Sequence, residues 1–142
     1  MAMIAENLDT NEGIICIRAD HPFPPRKFGL AYFELTIEKE EQESEPKENE
    51  STAPIICIGL CGEFCNLIYA HPGWKVWSAG YHGDNGKVYE QYGVWKYDTK
   101  QLYGPGNTIG CGVDYDSDKY FFTLDGEVVG MYLFRLHSIL HY

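Results

Sequence analysis

Residues 108–133 read TIGCGVDYDSDKYFFTLDGEVVGMYL, and three strands can be read from them. Within Thr108–Tyr115, the side chains of Ile109, Cys111, Val113 and Tyr115 fall on one side, the two-residue period of a strand with one buried face. Tyr120, Phe122 and Leu124 repeat that period in the next run. Asp114, Asp116 and Asp118 lie between the two runs and read as a polar turn. The dipeptide Asp125-Gly126 then signals a tight hairpin turn leading into a third strand, Glu127–Leu133.

The same grammar extends toward the N-terminus. Ala31–Glu38 alternates, with Phe33, Leu35 and Ile37 on one face and Glu34, Thr36 and Glu38 on the other. Ile14–Arg18 and Pro54–Leu60 are short β-rich runs, and residues 87–95 form an aromatic run. Trp77–Tyr81 reads as a further strand, ending at the turn residues Gly83–Gly86. Pro22, Pro24 and Pro25 exclude a helix interior or a central strand between residues 19 and 29. Seven or so short strands with turn signals between them predict an all-β fold, an antiparallel β-sandwich.

Composition agrees. Of 142 residues, 44% are apolar and 15% aromatic, with 15 Gly and 7 Pro, a profile of β structure with many turns. The formal net charge is −10, which disfavours general nucleic-acid binding and docking on an anionic membrane. Half of that charge lies in residues 38–50, EKEEQESEPKENE, where seven Glu face two Lys. Residues 39–53 are too polar to offset their ordering entropy and read as an acidic flexible insertion between two strands that would otherwise form a hairpin. No apolar run reaches the roughly 18–20 residues of a membrane span. No secretory signal is visible, and five Cys in such a chain read as free thiols, which predicts a cytoplasmic or nuclear protein.

Motifs for chemistry are sparse. Cys57, Cys61 and Cys65 are spaced marginally for zinc and read better as small core hydrophobes. The Asp114-Asp116-Asp118 series fails as a calcium loop, because Lys119 stands where the turn glycine belongs. No nucleophile elbow, phosphate loop or facing carboxylate pair is apparent, so no catalytic residue, cofactor or metal is expected. What remains is an aromatic, Gly-rich region from Trp74 to Tyr103. Rigid aromatics on loops of a β scaffold offer large contact area at low entropic cost, which suits peptide binding. The alternative is a carbohydrate-binding or glycan-processing sandwich.

The runs RADHPFPPRKFGLAYFELTIE (18–38), PGWKVWSAGYHGDNGKVY (72–89) and LYGPGNTIGCGVDYDSDKYFFTLDGEVVG (102–130) resemble a SPRY domain. Within that family the resemblance is to the Ran-binding protein M group, with its fungal relatives in the GID/CTLH ubiquitin-ligase complex, and next to fungal vacuolar-sorting adaptors. It implies a bent sandwich of two antiparallel sheets over residues 14–142, with residues 1–13 as an N-terminal extension. It also implies a non-catalytic module that binds a peptide or protein partner through loops at one end. Carried over by position, the Gly73-Trp74 loop, the Tyr81–Asp84 segment and the Tyr103–Pro105 loop border that surface. Trp74, Tyr81 and His82 are the expected anchors, with Asp84 and Tyr103 beside them. The Gly-Tyr-His-Gly segment also admits a structural reading, its glycines permitting φ > 0 and its His tying loops together. Compared with the family, the stretch before Gly106 is compressed and the last strands are missing. The expectation is either a truncated product with an open sheet edge, or an edge covered by the N-terminal strand or by a second copy through strand exchange.

Overall fold

A computed structural model describes residues 14–24, 29–39, 55–66 and 70–133, together with the backbone of residues 2–7. Ten strands are described: β1 (Ala2–Asn7), β2 (Ile14–Arg18), β3 (Leu30–Thr36), β4 (Ile55–Cys61), β5 (Ser78–His82), β6 (Lys87–Glu90), β7 (Val94–Asp98), β8 (Thr108–Asp114), β9 (Lys119–Leu124) and β10 (Glu127–Leu133). They form two antiparallel sheets, one in the order β2-β1-β4-β5-β6-β7 and the other in the order β10-β9-β8-β3. The all-β sandwich expected from the alternation is therefore the fold.

The 108–133 stretch folds as read. Ile109, Cys111, Val113 and Tyr115 are buried, and β8 pairs with β9 from Ile109↔Leu124 to Asp114↔Lys119. Asp125 and Gly126 both take positive φ, 50° and 86°, as the tight hairpin into β10 requires. Asp114 closes the preceding turn, accepting bonds from the Asp116 and Ser117 amides and from the Ser117 hydroxyl. The first carboxylate of the three-Asp run is thus occupied with the turn itself.

The core fills the space between the sheets. Ile58, Tyr81 and Val88 from the first sheet meet Ile109, Tyr120 and Phe122 from the second. Tyr81 and Phe122 lie 5.5 Å apart between ring centroids, and Tyr97 stacks on Tyr132 at 4.1 Å. The Tyr120 hydroxyl crosses to the first sheet, donating to Glu90 Oε1 at 2.5 Å, which explains how a buried carboxylate is tolerated.

Three expectations are corrected. Residues 2–7 are no extension: β1 lies inside the first sheet, paired on one side with β2 and on the other with β4. The chain's own N-terminal strand thus completes the interior of that sheet. Second, the strands flanking the acidic segment do not form a hairpin. Strand β3 pairs with β8 from Leu30↔Asp114 to Thr36↔Thr108, whereas β4 pairs with β1 and β5 in the other sheet. Phe33 and Leu35 pack on the core from the second sheet, Ile58 and Leu60 from the first. Third, the aromatic run 87–95 is two strands, β6 and β7, separated by a turn at 91–93. The acidic residues 40–54 and the C-terminal residues 134–142 lie outside the described residues.

Candidate functional site

Strands β5 and β6 present alternate side chains to opposite faces of the first sheet. Tyr81 and Val88 point into the core, while His82 and Tyr89 point to the outer face, where the segment 70–77 lies across them. That crossing depends on two glycines. A Cβ on Gly59 would stand 2.7 Å from Pro72 Cβ, and one on Gly80 would stand 2.4 Å from Pro72. Pro72 therefore rests in a depression that only glycine leaves open, and its ring is fully buried there. Ser78 fastens the loop that follows: its Oγ accepts from the Gly73 amide at 3.0 Å and donates to the Lys75 carbonyl at 2.7 Å.

The loop and the sheet build an aromatic and imidazole cluster. His82 and Tyr89 ring centroids are 4.3 Å apart. Trp74 meets His71 edge-on at 4.8 Å and stacks toward His82 at 6.4 Å. His82 Nε2 sits 2.9 Å from the Pro72 carbonyl. A carbonyl only accepts, so Nε2 carries a proton, and it is burial rather than this bond that keeps the ring neutral. Burial is the main cause that pulls the His82 imidazole down to about 4, and burial likewise lowers His71. His71 Nδ1 is buried and has no hydrogen-bond partner among the described residues. Asn85 arranges the rim, donating to the Tyr89 hydroxyl at 3.1 Å and to the exposed Asp84 at 3.2 Å.

The hairpin β6–β7 completes the surface. Trp95 stands opposite Tyr89 on the ladder, and Lys87 lies 4.9 Å over the Trp95 ring. The turn between the strands has three successive positive φ angles, at Gln91 (35°), Tyr92 (59°) and Gly93 (70°). It is tied to the crossing loop by the Gly93 amide, which donates to the Gly73 carbonyl at 3.0 Å. Trp74 packs over Gly93, so loop and hairpin form one surface. On the inner edge of the hairpin a shallow depression of about 260 Å³ is lined by Glu90, Gln91, Tyr92, Val94 and Lys96. That is smaller than the roughly 300–1,000 Å³ of a small-molecule pocket.

Of the five residues singled out in the sequence, two are exposed: Trp74 (45%) and Asp84. The other three are corrected from contact residues to supports. Tyr81 is wholly buried, packed on Tyr103 and Phe122, and donates to the Gln101 carbonyl at 2.5 Å. Tyr103 is buried too, and its hydroxyl donates to the Tyr81 carbonyl at 2.7 Å. His82 keeps 3% of its surface because the 70–77 segment covers it. Conversely, Tyr92 (72% exposed) and Trp95 (54% exposed) were not chosen as anchors. The signal that could have found them is Gly93, which marks the break in the 87–95 run and makes β7 an edge strand. Among the described residues, no group of three His, Cys, Asp or Glu side chains is arranged to hold a metal ion. No helix among them is long and apolar enough to cross a membrane.

Comparison with known sequences agrees with this architecture, since residues 31–138 match the profile of the SPRY domain. The chain belongs to the SPRY domain family. This SPRY domain is similar to part of Ran-binding protein 9 of Homo sapiens, with 33% identity over 119 residues covering 81% of this chain and 14% of that protein. It is 41% identical to the Ran-binding protein M homolog of Arabidopsis thaliana over 79 residues, which cover 53% of this chain and 16% of that protein. The chain therefore spans about a sixth of the length of these curated relatives. Among solved structures, a crystal structure of a human SPRY domain superposes with a TM-score of 0.61 at 25% identity, over 86% of this chain and 71% of that one. The SPRY domain of human HERC1 shares the fold, with a TM-score of 0.53 at 16% identity over 78% and 62% of the two chains. SPRY domains of this kind are generally non-catalytic protein-interaction modules.

Proposed function

We propose that this SPRY domain binds a peptide or protein segment on the outer face of β5–β7, with Trp74 and Trp95 as anchors. The observation that carries the reading is the exposure of these two indoles on a frame whose backbone is fixed from below. Tyr89 and the buried His82 fill the space between the strands and Trp74, and Gly93 ties the hairpin to the loop. Anchors held in one orientation lose little entropy on binding. Asp84 and Lys87 at the margin supply one charge of each sign, which selects register more than it adds affinity. Tyr92 adds contact area at the hairpin tip.

At a finer level, the domain acts as the recognition or scaffold part of a ubiquitin-ligase assembly or of a sorting adaptor, in the cytoplasm or nucleus. The resemblance to the Ran-binding protein M group supports this, and the five free cysteines suit a reducing compartment. A peptide array probed with the wild-type chain and with Trp74→Ala and Trp95→Ala tests the site. Binding should drop at least about 30-fold in each variant, the size of a hot-spot residue. Full binding by both folded variants would remove the site assignment. Selective capture by a glycan array in place of peptides would favour the carbohydrate alternative.

A further inference from the structure

Three of the five cysteines lie together where β4 ends, beside the start of β5. Cys61 ends β4, and Cys65 follows after a turn in which the Cys65 amide donates to the Gly62 carbonyl at 3.2 Å. Both side chains are buried and pack on one another, with the half-buried Cys16 of β2 against them. The Cys61 and Cys65 side chains share one buried cluster, and the Cys65 thiol donates to the Asn66 carbonyl at 3.9 Å. Arg18, two residues along β2 from Cys16, spans to this turn. Its Nη1 donates to the Glu63 carbonyl at 2.9 Å, which sets the guanidinium at the turn between Cys61 and Cys65.

We propose that Cys61 and Cys65 form a reversible oxidation site, converted by small hydroperoxides into an intrachain disulfide. Within the pair, the neighbouring Cys65 thiol and the Arg18 guanidinium favour the thiolate form of Cys61. Cys61 is accordingly held below the ordinary thiol range, while burial raises Cys57, Cys111 and Cys16 above it. In the first step the Cys61 thiolate attacks one peroxide oxygen, the O–O bond breaks, and the other oxygen leaves as water after taking up a proton. Cys61 is now a sulfenic acid. In the second step Cys65 sulfur attacks Cys61 sulfur; the S–S bond forms, the S–O bond breaks, and the Cys65 proton leaves with the departing water. Two thiols lose two electrons and one hydrogen peroxide becomes two waters. Cys61 has no exposed surface and Cys65 has 6%, so a compact uncharged oxidant fits the site and a bulky disulfide such as glutathione disulfide does not.

The test treats the full chain with hydrogen peroxide, blocks free thiols, digests with trypsin and maps the peptide 48–75, which contains Cys57, Cys61 and Cys65. The expected product has lost two hydrogens, fragments as a Cys61–Cys65 bond, and returns to the dithiol with dithiothreitol. In Cys65→Ser, dimedone should trap Cys61 as the sulfenic acid. Arg18→Gln should slow oxidation roughly tenfold, the change in thiolate fraction that a cationic neighbour produces. Oxidation of Cys57 or Cys111 as fast as Cys61, or a bond mapped to Cys16, would overturn the proposal. So would an unchanged rate in Arg18→Gln. The wild-type map decides the question even where a variant does not fold.

Discussion

Tyr81 and His82 are neighbours in the chain, yet they belong to different aromatic clusters. Tyr81 joins the interior set with Tyr103, Tyr120, Phe122 and Tyr132, whose rings pack between the sheets. His82 joins the outer set with His71, Trp74 and Tyr89, across the thickness of the same sheet. The interior set ties its polar atoms down: Tyr81, Tyr103 and Tyr120 donate to two carbonyls and one carboxylate. The outer set leaves large apolar faces uncovered at Trp74 and Trp95. Strand alternation thus divides one short motif between stability and recognition, and adjacency in sequence is no guide to membership of one site.

The sharpest way to break that division is to remove a ring from each side. Phe122→Ala should lower stability by about 3–5 kcal/mol, the range for truncating a buried aromatic, read from the urea midpoint. A loss under about 1 kcal/mol would mean that the inner cluster is not the core. A smaller effect comes from acid. His82 is neutral when folded with its pKa at about 4, below the usual value near 6.5, so the unfolded chain binds the proton first. Its contribution to stability is complete above about pH 6.5 and is lost as pH falls toward about 4. Between about pH 7 and about pH 5 the loss should be about 2 kcal/mol, and His82→Gln should flatten that slope. Urea titrations at the two pH values would show it; an unchanged slope in the variant would assign the effect elsewhere.

Trp74→Ala should cost no more than about 1 kcal/mol of stability while weakening partner binding at least about 30-fold. Thermal melts and the peptide array read the two quantities on one preparation. Least is expected from Lys87→Gln, about 0.5 kcal/mol for a half-buried cation over an indole. A larger effect on binding than on stability would place Lys87 in the partner contact itself.

Most of the fold was legible in the sequence, because a strand with one buried face writes its period directly. The bounds of Ile14–Arg18 and Glu127–Leu133 and the left-handed Asp125-Gly126 turn were all readable from short range. What short range could not give was pairing. The partner of β3 is β8, more than seventy residues away, and the place of β1 between β2 and β4 depends on a ladder that no local pattern encodes. The site suffered from a related blindness. Period two tells that Tyr81 and His82 face opposite ways, but not which face is covered. It also does not tell that Pro72 will settle on Gly59 and Gly80 and bury His82 from outside. Trp74 and Asp84 survive as exposed residues because they lie on the covering segment and on the turn, where nothing lies above them.

The Gln91–Gly93 turn carries a consequence for anyone who would improve this domain. Two side chains larger than Gly, Asn or Asp occupy left-handed backbone there, at about 1–2 kcal/mol each. Asn-Gly at positions 91 and 92 would relieve that strain, and a library sorted only for heat resistance would drift toward it. Such a selection would erase Tyr92, the most exposed aromatic on the recognition face, and would report the loss as progress.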